Sequence, residues 1–171
     1  KYYRYYVRDS SAYKKLKVLC KNKENKNQFL FCVTIQNHGG YEEETSNNFK
    51  PDVELYYDEE YPLAEMYLSL AKKSDNTFMK LLDYFKEVDE PTMIVMFGDH
   101  WPKLEDGFYS DVMGKDYNAL DLEGVQQTRR TPYVIWTNYP SESGEEDMST
   151  NYFGSYILEQ AGLEMTTYNK F

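Results

Sequence analysis

A chain of 171 residues is long enough for one domain with a substantial core and too short for two of comfortable size. Its 41% hydrophobic and 17% aromatic content excludes a disordered chain. A formal net charge of −10 is the wrong sign for nucleic acid, and gives no general attraction to an anionic membrane. A negative protein that handles phosphate has to concentrate positive charge locally, and a bound metal ion is one means of doing so.

The chain opens on "KYYRYY", without a methionine or a signal peptide, and is expected to be a piece of a longer protein. No run approaches the ~18 apolar residues of a membrane span. "RDSSAYKKLKVLCKNKENKN" predicts a short helix. Asp9, Ser10 or Ser11 can cap it, Tyr13, Leu16, Val18 and Leu19 give it an apolar side, and "NKENKN" ends it in a polar turn. "QFLFCVTI" is nearly continuous in apolar residues and predicts a strand buried on both faces. Cys32 lies in it as an expected buried free thiol, because Cys20 and Cys32 fit no CxxC pattern.

After "QNHGGY", residues 42–60 form a long acidic connection. The longest helical pattern follows: Leu63, Met66, Leu70, Ser74, Phe78, Leu81 and Phe85 recur at steps of three and four, and Pro62 suits the first turn. "TMIVMF" predicts the second strand and "PYVIWT" the third, with short helical pieces between them. "SESGEED" reads as a solvated loop. A final helix carries Phe153, Tyr156, Ile157 and Gln160, with Gly162 as its C-terminal cap. The alternation predicts an α/β domain over residues 1–171, with a mostly parallel sheet flanked by helices.

The chain's two histidines both follow predicted strands: His38 after "FLFCVTIQ", and His100, preceded by Asp99, after "TMIVMF". Ligands of parallel sheets bind outside the carboxyl ends of the strands, so both lie where one site would form. Asp99 and His100 offer a hard oxygen and an imidazole nitrogen, a mixture suited to manganese or zinc rather than calcium. Gly98 lets the backbone turn so that adjacent side chains reach one ion. A loop hydrogen bond between Asp99 and His100, and a plain turn at "NHGG", are the alternative readings of these residues.

"YVRDSSAYKKL", "FCVTIQNHGGY", "FMKLLDYFKEVDEPTMIVMFGDHWPKLEDGFY", "RTPYVIWTNY" and "STNYFGSYILEQAGL" together resemble the C-terminal half of a lipoteichoic acid synthase-like phosphoglycerol transferase. That family is a sulfatase-type branch of the alkaline phosphatase superfamily. The resemblance covers nearly the whole chain and implies a partial alkaline phosphatase/sulfatase-like fold. It implies metal-assisted transfer of phosphoglycerol from a lipid donor to a glycerol-phosphate-type acceptor, through a hydroxyl nucleophile. Asp99 and His100 match the metal pair of the family's "GDH" motif, and His38 matches the histidine that contacts the substrate phosphate. The implied metal is manganese, with zinc or magnesium as alternatives.

By the same resemblance, the parent is anchored in the membrane through upstream spans and works on the extracellular face. Its N-terminal half is the partner that supplies the threonine nucleophile and an acidic metal ligand. Thr34, inside a strand, and Thr45, in the acidic loop, are not equivalents, and no Cys-x-Pro-x-Arg motif is present. The isolated chain is therefore expected to hold half a site, to bind metal weakly and to be inactive alone. Trp101 falls where the family varies and takes no role, and Arg130 is read as a surface residue rather than an anion contact. A hydrolase of the same superfamily and a non-catalytic envelope binding module are the rival readings. A sheet lacking neighbours would leave an exposed edge and favour self-association.

Overall fold

The computed structural model describes residues 1–22, 24, 27–42 and 48–170. The chain opens on a small hairpin, β1 (Tyr2–Tyr3) and β2 (Tyr6–Val7), which leads into helix α1 (Asp9–Lys21). The 25-residue helix α2 (Pro62–Lys86) precedes strand β3 (Met93–Phe97). Two short helices, α3 (Asp106–Met113) and α4 (Leu122–Gln127), lead to strand β4 (Tyr133–Thr137), helix α5 (Thr150–Gln160) follows, and a single 3-10 turn (Tyr168–Lys170) comes last.

Helix α2 is the spine, and the periodicity that predicts it is what packs it. Its first half buries Ala64, Met66 and Leu70 in a cluster with Tyr41, Phe49, Tyr61, Leu104 and Tyr109. Its second half buries Phe78, Leu81, Leu82 and Phe85, against which Tyr13, Cys20, Ile94 and Trp136 pack. Pro62 occupies the first turn as expected, but no local side chain caps it. The carboxylate of Glu105 does so from across the fold, accepting from the backbone N–H of Leu63 (2.7 Å) and Ala64 (3.2 Å). At the other end, Asn138 donates to the carbonyls of Phe85, Val88 and Glu90 at 2.8–3.1 Å, and accepts from the N–H of Thr92 at 2.7 Å. One asparagine thus ties the end of α2 to both strands.

The α/β class holds, but a mostly parallel sheet is not confirmed. Among the described residues there are two two-stranded sheets, and both are antiparallel. Strands β3 and β4 pair from Met93 opposite Thr137 to Phe97 opposite Tyr133. The expectation of parallel strands presumes a crossover that returns the chain to the start of the sheet. Here the short helices α3 and α4 return it at the same end, forming a wide hairpin.

Residues 28–35, expected as a doubly buried strand, form no ladder, and Phe29, Phe31 and Val33 are 87%, 70% and 76% exposed. A continuous apolar run becomes a buried strand only where neighbours pair with its edges and cover its faces. None among the described residues does. Cys32 is correspondingly exposed rather than buried. Asp9 does not cap α1 but lies buried in its first turn, accepting a hydrogen bond from Ser74 Oγ. Gly162 ends α5 as expected, with φ of 63° and the N–H of Leu163 bonded to Leu158 O at 2.9 Å. Thr45, and Lys23, Asn25 and Lys26 of the "NKENKN" turn, lie outside the described residues.

Candidate functional site

Strand β3 delivers Asp99 and His100. Gly98 continues the ladder, donating its N–H to Pro132 O at 3.0 Å, and a Cβ there would meet Thr131 Cβ at 3.3 Å. The glycine therefore serves a close approach between strand ends rather than the sharp turn expected of it. His100 N–H donates to Asp99 Oδ1 at 2.9 Å, so the loop hydrogen bond of the alternative reading does form. It leaves the outer edges of both side chains open: Asp99 is 85% and His100 72% exposed.

The imidazole of His100 is held in one orientation. Its Nδ1 lies 2.8 Å from Trp101 O, and a carbonyl only accepts, so Nδ1 carries a proton and, in the neutral ring, Nε2 is the nitrogen with the lone pair. A backbone carbonyl behind a histidine, fixing its tautomer, is the usual support of a metal ligand. Nε2 stands 3.6 Å from Asp99 Oδ2, a separation that two ligands of one ion can have when each bond is about 2.1 Å. The donor pair thus fits a divalent transition metal. Among the described residues, no group of three histidine, cysteine or acidic side chains is placed to hold one. The chain offers two ligands of a shell, not a complete one.

Trp101 has a part that the sequence did not reveal. Its indole N–H donates to Arg130 O at 2.6 Å and its ring stacks on Tyr109 at 5.5 Å, while Tyr109 donates its hydroxyl to Pro102 O. The Asp99–His100 loop is thereby tied on one side to the segment that enters β4 and on the other to the aromatic core. The signal was the indole itself, which must find an acceptor when it packs against a core. Arg130 is exposed and pairs with Asp147 at 3.0 Å, as a surface arginine would.

His38 is placed by a different set of contacts. Gln36 is fully buried, accepting from Asp9 N–H at 3.1 Å and donating to Ser74 Oγ at 2.9 Å. Tyr41 donates to Asn37 O at 2.6 Å. Gly40 has φ of 79°, a conformation that favours glycine. The Arg4 guanidinium donates to His38 O and to Gly40 O, the latter at 2.9 Å, and the Tyr6 hydroxyl lies 3.1 Å from His38 Nδ1. Burial pushes the Arg4 pKa down, with Tyr41, Tyr6 and Glu42 opposing. Neither Arg4 nor Tyr6 stood out in the sequence, where "KYYRYY" carries no motif.

The two histidine loops flank one aromatic cluster, reached by Tyr41 from the His38 side and by Trp101 from the other. His38 is not gathered with Asp99 and His100 into a common ligand group. No helix among the described residues is long and apolar enough to cross a membrane.

The sequence profile of the sulfatase family matches residues 1–163. A Rhizobium meliloti (strain 1021) protein, provisionally named as a cyclic beta-1,2-glucan modification protein, is 34% identical over 149 residues. That match covers 84% of this chain and 23% of the relative. The capsular polysaccharide biosynthesis protein RkpI of the same strain is 28% identical over 101 residues, covering 58% of this chain and 17% of the relative. Among solved structures, the Streptococcus pyogenes phosphoglycerol transferase GacH in complex with sn-glycerol-1-phosphate superposes with a TM-score of 0.71. It is 18% identical, and the match covers 99% of this chain and 41% of that one. The fold is therefore that of the alkaline phosphatase-like sulfatase class, and the chain spans about a quarter or less of its curated relatives.

Proposed function

Because this chain belongs to the sulfatase family, we propose that it is the C-terminal part of a metal-dependent phosphoglycerol transferase acting on lipid-derived phosphodiesters in cell-envelope polymer synthesis of the lipoteichoic acid type. The observation that carries this reading is His100 Nε2 standing 3.6 Å from Asp99 Oδ2, with the opposite ring nitrogen committed to Trp101 O. It is supported by likeness in fold to a phosphoglycerol transferase.

In this reading Asp99 and His100 hold one divalent ion, manganese first and zinc or magnesium second. A bound ion of this kind supplies Lewis-acid polarisation of a phosphoryl oxygen and lowers the pKa of a hydroxyl nucleophile. Trp101 keeps the His100 ring oriented, and His38 contacts the phosphate of the substrate. The nucleophile and an acidic ligand come from the N-terminal half of the protein, which also carries the membrane spans that place the site on the extracellular face. The donor is a phosphoglycerol lipid and the acceptor a glycerol-phosphate-type polymer. The isolated chain holds metal weakly and does not turn over.

The test is made in the full-length protein with a phosphoglycerol lipid, reading diacylglycerol release. Asp99→Ala and His100→Ala each remove turnover, and wild-type rates in either variant sink the assignment. The family match also favours a second reading, hydrolysis of a sulfate or phosphate ester. It is separated by product: transfer to an added glycerol-phosphate acceptor supports the first reading, and release to water alone supports the second.

A further inference from the structure

The β1–β2 hairpin takes no part in the chemistry above, yet its side chains grip the His38 loop. Arg4, at its turn, has φ of 49°, a conformation rare for a long side chain. Asn48 brackets its backbone, accepting from Arg4 N–H at 2.5 Å and donating to Arg4 O at 3.0 Å. Arg4 is 4% exposed, and its guanidinium reaches the carbonyls of His38 and Gly40 and lies 5.2 Å from the ring centroids of both Tyr6 and Tyr41. Its Nε is buried without a hydrogen-bond partner. A buried, incompletely satisfied cation and a strained backbone are both costly for a three-sided grip on one loop.

The Tyr6 hydroxyl makes two contacts, to Gly39 O at 3.3 Å and to His38 Nδ1 at 3.1 Å. A tyrosine has one proton to give, and a carbonyl only accepts. Both contacts are satisfied together in one way: Tyr6 donates to Gly39 O, and His38 Nδ1–H donates to Tyr6 Oη. Among the described residues Nε2 has no hydrogen bond, and the His38 side chain is exposed.

We propose that Arg4 and Tyr6 are positioning residues for His38: Arg4 fixes the backbone of its loop, and Tyr6 holds the proton on Nδ1 and turns Nε2 outward toward the phosphoryl ligand. This rests on the reading of His38 as a phosphate contact. A phosphodiester oxygen accepts, so His38 meets it with a second proton, on Nε2. The Tyr6–Gly39 chain receives Nδ1–H from the neutral and the protonated ring alike, so binding requires no rearrangement behind the imidazole.

The test is a long-range 1H–15N correlation spectrum of the 15N-histidine-labelled chain at about pH 8.5, where imidazoles are mostly neutral. Two histidines give a simple spectrum, and His100, held by Trp101 O, is an internal reference for an Nδ1–H ring. His38 is expected to show the Nδ1–H pattern. In Tyr6→Phe its pattern shifts toward Nε2–H while that of His100 stays unchanged. An Nε2–H pattern for His38 in the wild-type chain overturns the proposal, as does a His38 pattern unaltered in a folded Tyr6→Phe chain. Should Tyr6→Phe fail to fold, the wild-type spectrum decides alone. A His38→Ala full-length protein with wild-type turnover removes the phosphate reading of His38 but leaves the tautomer result standing, so the two failures are distinguishable.

Discussion

Replacing Ser74 with alanine probes the polar junction behind the His38 loop. The Ser74 hydroxyl donates to Asp9 Oδ2 and accepts from Gln36 Nε2 at 2.9 Å, while Asp9 Oδ1 is buried without a partner. Burial pushes the Asp9 carboxyl up from its ordinary range, and the Ser74 hydrogen bond opposes that shift. A carboxyl raised in the folded state contributes stability that is present in full below its unfolded pKa. That contribution is lost as pH rises through the folded pKa. Ser74→Ala removes the opposing influence and raises the Asp9 pKa further. At pH 7.5 the carboxyl is more ionised than at low pH, and the loss is closer to that of a hydrogen bond to an ionised group, about 1.5–3 kcal/mol. At pH 4 more of the folded carboxyl is protonated, and the loss falls toward about 0.5–1.5 kcal/mol, that of a neutral hydrogen bond. Urea unfolding of wild type and variant at the two pH values, at constant m, measures both. Equal losses at the two pH values, or a stabilised variant at pH 7.5, refute the reasoning.

Two other substitutions separate the supports of the site from its ligands. Trp101→Phe keeps the stacking on Tyr109 but deletes the 2.6 Å bond to Arg130 O. It is expected to cost about 1 kcal/mol in urea unfolding and to weaken manganese retention by the full-length protein about tenfold. Unchanged retention would show that Trp101 does not orient His100. Asn138→Ala removes the amide whose two N–H donors are shared among three carbonyls and whose oxygen accepts from Thr92 N–H, at the junction of α2 with both strands, with an expected loss of about 2–3 kcal/mol. A loss under half a kilocalorie would show that water replaces the amide without penalty.

What the sequence revealed depended on whether the signal was local. Helix α2 was legible because Leu63 through Phe85 carry the pattern within one segment, and packing against both core clusters uses that same face. The cap on α2 was not, because Glu105 comes from 41 and 42 residues further along the chain. The segment 28–35 was misread for a related reason: its apolar content is local, but burial depends on neighbours that the sequence of the segment does not contain. Strand direction likewise followed from how α3 and α4 return the chain, which no periodicity records. At the site, Asp99, His100 and His38 were legible as residue types at strand ends. The hands that hold them, Trp101, Arg4 and Tyr6, act through backbone carbonyls and ring faces, and these leave no motif.

The ladder between β3 and β4 has a bearing on how metal-binding data from this chain should be interpreted. It joins Phe97 to Tyr133 across the whole of residues 98–132, so the loop has to close before the ladder hydrogen bonds offset its entropy. Asp99 and His100 lie just inside that closure, and their relative placement forms only once the strands have zipped. An ion that recognises the placement binds the native chain and not the open one, so it both stabilises the fold and reports on it. A distant substitution that opens the ladder lowers apparent metal affinity in proportion to the closed fraction, with both ligands intact. Weak metal binding by a variant therefore identifies a lost ligand only when its ladder amides remain protected from hydrogen exchange.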